Sequence, residues 1–149
     1  MLTFADKPWT IVKKEDPMQL AEVLKDYPSL ESLDEAARQG VPRKFLDELA
    51  DALGVSLREL APHLHVSERH LRRHEPDQLL PPEVSDRALN IARVYERAVQ
   101  VLDTSDRATR WLHHPNRALG AVPLELLGTT FGAERVLAVL DRIAYGVFS

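Results

Sequence analysis

The chain has 149 residues, room for one ordinary domain or two small ones on a shared core. With 44% apolar and 28% charged residues it has the composition of a folded, water-soluble protein, and with no cysteine it can form neither disulfides nor Cys-based zinc sites. A net charge of −4 excludes a uniformly basic nucleic-acid binder, and no apolar run approaches the roughly 20 residues of a membrane helix.

The opening MLTFADKPW lacks the basic start and apolar run of a secretion signal, so a cytoplasmic location is expected. Residues 1–16 read as irregular, with Trp9, Ile11 and Val12 free to pack on a partner. Asp16-Pro17 then marks a helix start, because Asp caps well and Pro suits the first helical position. A helix over 18–25 follows, with Leu20, Val23 and Leu24 on one side. Tyr27-Pro28-Ser29 breaks it, and a second short helix runs to Gln39 with Leu30, Leu33 and Ala36 inward. Gly40 stops that helix. Residues 1–40 form a helical arm, serving either as a lid or in self-association.

From Pro42 the helical spacing is plain in Phe45, Leu46, Leu49, Ala50 and Leu53, and Gly54 ends the helix. Ser56 with Glu59 three residues on is a capping box. It opens a helix over 57–64 with Leu57, Leu60, Ala61 and Leu64 inward. His65-Val66-Ser67 is a tight turn, and Ser67 caps a helix over 68–74. Two helices on so short a turn, with Val66 plugging it and Leu71 anchoring the second, fit a helix-turn-helix. Residues 57–74 carry Arg58, Arg69, Arg72 and Arg73 against Glu59 and Glu68, a net of +2 inside a −4 protein. Arginine grips phosphate bidentately and reads guanine edges. Ser67, Arg69, His70, Arg72 and Arg73 are therefore the candidate DNA-binding residues. Two features depart from the usual pattern: His65 stands where glycine is common, and Pro62 sits inside the first helix of the pair.

Residues 78–82 read as an extended connector, after which Ser85 opens a long helix to Leu102. That helix is apolar on more than one face, so it is buried in the core or across a dimer contact. Asp103-Thr104-Ser105 breaks and recaps the chain before a short helix ending at Trp111. A Pro115-Asn116 turn leads to a short helix at Pro123, a loosened segment through Gly128 and Gly132, and a last helix over 133–144. Its inward residues are Val136, Leu137, Leu140, Ile143 and Ala144. The chain ends in Tyr-Gly-Val-Phe-Ser, an apolar and aromatic terminus where a polar, frayed one is usual, so it is expected to dock.

Catalytic signals are lacking. His70 and His74 share a helical face, but Leu71 follows His70 where a zinc protease needs Glu, and no third ligand is evident. The sequence contains no GxSxG elbow and no glycine-rich phosphate loop. No enzyme activity, metal or cofactor is expected.

The C-terminal two thirds resemble the Xre/ParS/MbcA-like antitoxins of RES-Xre type II toxin–antitoxin systems. The matching residues are Ser85-Asp86-Arg87, Ala108, Trp111-Leu112, the run from Pro115 through Gly120, Pro123-Leu124-Glu125-Leu126-Leu127, Thr129 and Gly132. Leu140-Asp141-Arg142-Ile143 and the terminal Tyr145-Gly146-Val147-Phe148-Ser149 complete the set, and the helix-turn-helix precedes them. Val122 departs from a position often polar. The resemblance implies an all-α fold, with an Xre-like helix-turn-helix part followed by a small helical toxin-binding domain. It implies a RES-domain toxin partner of ADP-ribosyltransferase-like fold that consumes or transfers from NAD, an operator DNA partner, and a homodimer within the larger complex. It also implies inhibition by a C-terminal end that covers the toxin's active site. Residues 41–80 would then be the DNA-binding region and 81–149 the antitoxin domain.

The residues agree physically. Tyr145, Val147 and Phe148 can fill an apolar nucleotide pocket, Gly146 lets the end turn in, and the carboxylate of Ser149 can pair with a phosphate-binding arginine. Trp111 is either a core anchor or an interface hot spot. Asn116 and Arg117 either cap the turn or touch the partner. Two rival readings remain: a dimeric helix-turn-helix regulator without a toxin partner, and a metal-dependent or hydrolytic enzyme using the histidines.

Overall fold

A computed structural model describes residues 29–146, and within them every regular element is helical. The predicted irregular arm, the predicted helix over 18–25, and Val147, Phe148 and Ser149 of the tail lie outside the described residues.

Seven α-helices follow one another among the described residues: α1 (Leu30–Gln39), α2 (Arg43–Leu53), α3 (Leu57–Leu60), α4 (Glu68–Arg72), α5 (Pro82–Leu102), α6 (Ser105–His113) and α7 (Thr130–Ala144). Two 3-10 turns interrupt them, Ala61–Leu64 and Pro123–Leu126. Most starts are written in the sequence. Ser29, Ser56, Ser67, Thr104 and Thr129 each accept a hydrogen bond from a first-turn N–H of the helix they precede.

The long helix α5 is the axis of the fold. It buries Val84, Ala88, Leu89, Ile91, Ala92, Val94, Tyr95 and Ala98. Elements from both halves of the chain cover it: α1, α2 and the first 3-10 turn from one side of the sequence, α6 and α7 from the other. The buried apolar residues from Ala36 to Leu140 form one core cluster, so the two halves share an interior.

Several boundaries differ from the sequence reading. Helix α5 begins at Pro82 rather than at Ser85, because Pro suits a first turn whose N–H is unpaired anyway. Ser85 is fully buried instead, and its hydroxyl accepts from the Val41 N–H at 2.9 Å and donates to the Leu80 carbonyl at 3.3 Å. It ties the connector to the start of α2. The helix expected over 57–64 is α-helical only to Leu60 and then tightens to 3-10, since Pro62 has no N–H to give the α ladder. Helix α4 ends at Arg72, not His74; the His74 N–H turns back to the Leu71 carbonyl, and its ring Nδ1–H donates to the His70 carbonyl. Leu30 is 69% exposed rather than inward, because the packed face of α1 centres on Leu33, Ala36 and Ala37. Helix α6 continues past Trp111 to His113.

At the C-terminal end, the expected loose segment is ordered. Thr129 caps α7 three residues earlier than expected, and Gly132 is buried inside the first turn. A Cβ there would sit 1.9 Å from the Leu126 carbonyl oxygen, so only glycine lets α7 approach the second 3-10 turn. Val139, not Ala144, completes the buried face of α7: Val136, Val139 and Leu140 are buried, while Ala144 is the last residue of the helix and is exposed. Gly132→Ala should therefore destabilise the fold by about 1–3 kcal/mol through overpacking, read as a lower urea midpoint. An unchanged midpoint would show that the Leu126 carbonyl can move aside freely.

Candidate functional site

The first surface is built on α3, the 3-10 turn and α4. Leu57, Leu60, Ala61, Leu64 and Leu71 are buried, so α4 is held against the core by its single inward leucine. Val66 is half-buried against that core, and its N–H donates to the Ala61 carbonyl. This leaves Ser67, Arg69, His70, Arg72 and Arg73 exposed together over one short stretch, where the sequence reading put the DNA contacts. Ser67 accepts from the His70 N–H at 3.0 Å, which leaves its hydroxyl hydrogen free for an acceptor. Arg72 pairs with Glu68 at 2.6 Å, an exposed pair worth under about 1 kcal/mol that a phosphate can displace. Arg69 and Arg73 show no ion pair among the described residues, and neither does Arg58 on α3.

The turn itself explains the unusual His65. Its backbone is left-handed, φ 59°, which is why glycine suits this position. The ring offsets that strain by a long-range contact: Nε2–H donates to the Gly128 carbonyl at 2.6 Å, because a carbonyl can only accept. His63, half-buried next to it, faces Gly128 too. Burial holds the His63 imidazole below its ordinary value, with Glu125 pulling it up and His65 pushing it further down. The helix-turn-helix turn is thus bonded to the segment that opens α7. Nothing in the sequence marks this contact, since 63 residues separate its partners.

Further bonds join the N-terminal helices to α5 and α6. Arg87 of α5 donates to the Leu64 carbonyl at 3.3 Å. Thr109 and His113 of α6 donate to the Ala52 and Leu53 carbonyls at 3.0 and 2.7 Å, capping the C-terminal end of α2.

The second surface lies on α6, the loop after it and the end of α7. Trp111 is half-buried against the core, so much of its ring serves the interior. Asn116 spends its side chain on the loop: its carbonyl oxygen accepts from the Leu119 N–H at 3.1 Å, and its backbone bridges to Ala121. Arg117 is exposed and unpaired among the described residues. Tyr145 is 79% exposed at the end of α7, and Gly146 has a φ of 69°, so the chain leaves the helix in a conformation other residues adopt only under strain. The sequence reading passed over Phe131, which is 83% exposed. Its position, out of phase with Val136 and Leu140, is the signal that marks it as outward.

No group of three or more potential metal ligands occurs among the described residues. The His70 and His74 rings stand edge to face, 5.2 Å apart, and His74 Nδ1 is engaged by the His70 carbonyl. Among the described residues no helix is long and apolar enough to cross a membrane.

Two outcomes follow for the turn. His65→Ala keeps the left-handed strain and loses the bond, so it should cost about 1 kcal/mol, whereas His65→Gly loses the bond but also the strain and should be nearly neutral by denaturant titration. Equal losses in both would mean that the ring contributes nothing. For His63, the unfolded chain takes up a proton near pH 6.5 while the folded chain resists until lower pH, so stability falls as pH drops below that value. His63→Gln should flatten part of that fall in Tm measured down to about pH 5.5.

The chain was compared with known families. The antitoxin Xre-like helix-turn-helix domain matches residues 32–93, and the antitoxin Xre/MbcA/ParS C-terminal toxin-binding domain matches residues 97–146. No curated protein matches the chain. The two matched regions meet within α5, the helix on which both surfaces are mounted. With both regions present in this order over most of its length, the chain belongs to the Xre/MbcA/ParS family of antitoxins.

Proposed function

We propose that this antitoxin inhibits a RES-domain toxin, an enzyme that consumes NAD or transfers ADP-ribose from it, by covering the toxin's active site with residues 145–149. The same chain binds its operator DNA through Ser67, Arg69, His70, Arg72 and Arg73. It acts by binding rather than catalysis, as a homodimer in the cytoplasm, with Trp111, Asn116 and Arg117 contributing to the toxin-facing side. Residues 41–80 serve as the DNA-binding region and 81–149 as the toxin-binding region. The observation that carries this reading is the pairing of an arginine-rich, exposed α4 with a matched toxin-binding region on one core.

The chemistry supports both halves. Arg69 and Arg73, which make no ion pair among the described residues, can neutralise phosphates and release counterions, which makes binding fall steeply with salt. Asn116, bound into its own loop, contributes mainly by fixing the position of the exposed Arg117 beside it. The Gly146 conformation redirects the chain just before its aromatic end.

Two experiments test this. Arg69→Ala with Arg73→Ala should abolish operator shift at physiological salt and reduce the log–log salt slope by about 2; operator binding that survives unchanged would place the DNA surface elsewhere. Removing residues 146–149 should release NAD consumption by a RES-domain toxin that the intact chain inhibits. Inhibition that persists would exclude the tail as the plug.

A further inference from the structure

The junction between the helix-turn-helix turn and the start of α7 is held by two imidazoles. His65 donates its Nε2–H to the Gly128 carbonyl at 2.6 Å. His63 lies against the same glycine: a Cβ on Gly128 would meet the His63 Cα at 3.7 Å and its Nδ1 at 3.9 Å. A proton affects the two rings differently. Nε2 of His65 carries hydrogen both in the neutral tautomer that makes this bond and in the cation, so acid leaves that donor in place. His63 is half-buried, and burial disfavours its charged form. Glu125 favours the charge but is exposed, so water screens it, and His65 opposes the charge further. On the α5 side, Glu83, Asp86 and Arg87 line a cleft of about 470 Å³ together with His65 and Gly128. Arg87 is turned to the Leu64 carbonyl, while Glu83 and Asp86 make no ion pair among the described residues. Their charge favours a cationic His65 that swings into the cleft over one that stays beside a cationic His63.

Little else at this junction resists opening. His65 holds a left-handed φ of 59°, a strain that opening relieves. Gly128 brings no side chain to the contact. Leu57, Leu60, Leu64 and Leu71 on one side and Leu127 on the other are buried in the core and need not move. Separating the turn from Gly128 and Thr129 therefore breaks one hydrogen bond and wets one half-buried ring. We infer that the junction is an acid-opened clasp: a proton on His63 frees Gly128 and Thr129 from the helix-turn-helix turn while the shared core stays closed. The clasp does not depend on which toxin or operator the chain binds. At neutral pH it ties the turn that leads into α4 to the region matched as toxin-binding, and in acid that tie is gone. The sign follows from linkage. In the open form His63 meets water and takes a proton near its ordinary value of 6.5, whereas the closed form resists until lower pH, so opening gains as pH falls, by at most tenfold per pH unit for one proton.

Amide hydrogen exchange on the full-length chain between pH 7.5 and 5.5, corrected for the intrinsic pH dependence of exchange, tests this. The reporting N–H groups are those of His65 and Val66, bonded to the Pro62 and Ala61 carbonyls, and that of Gly132, bonded to the Thr129 hydroxyl. Their protection should lie below that of the α2 and α5 amides and be insensitive to sub-denaturing urea, because local opening exposes little surface. It should fall at least about threefold from pH 7.5 to 5.5. His63→Gln should keep the protection at pH 7.5 and lose the fall. His65→Gly should lower the protection of the Gly132 amide at pH 7.5 while the urea midpoint of the whole chain stays near that of the wild type. A urea sensitivity equal to that of α2 and α5 would mean that the junction opens only with the entire fold, and would overturn the clasp. A fall that persists in His63→Gln would place the proton on another group and overturn it as well, as would wild-type protection of Gly132 in His65→Gly.

Discussion

The fold depends on a helix that cannot be buried by one half of the chain. Helix α5 is apolar over more of its circumference than a surface helix tolerates, and its inner positions from Val84 to Ala98 are closed off from water. Each buried leucine- or isoleucine-sized side chain is worth about 1.5–3 kcal/mol only if every side of it is covered. Covering α5 takes α1 and α2 from before it and α6 and α7 from after it. The elements of the two matched regions are therefore two coats on one helix, and neither has a complete interior without the other.

That constraint gives the polar links their meaning. His65 reaches from the helix-turn-helix turn to Gly128, Arg87 reaches from α5 to Leu64, and Thr109 and His113 close the end of α2. Each satisfies a carbonyl at the end of a turn or helix that its own ladder leaves open.

The short α4 is itself a consequence of local chemistry. Its five residues carry one buried leucine and a cluster of arginines, and the helix closes when His74 turns its ring and its N–H back on the preceding turn. So small an element has little stability of its own. It is positioned by Leu71 and by its neighbours, which is why the integrity of the shared core matters to a surface that makes almost no core contact.

Much of this was legible in the residues. The Ser56–Glu59 capping box, the caps at Ser67 and Thr104, the inward leucines of the helix pair and the breadth of the apolar surface on α5 follow from short-range periodicity and side-chain chemistry, which act within a few residues. Family membership was also readable, because its motif residues recur in order along the chain. What the sequence could not decide was set by groups far apart. Ser85 looks like a helix cap until Val41 and Leu80 are brought to it, and Gly132 looks like a loosening residue until the Leu126 carbonyl stands against it. His65 looks like a poor turn residue until Gly128 accepts its proton. In each case the residue type is ambiguous by itself, and only the tertiary contact, which no local pattern encodes, selects its role.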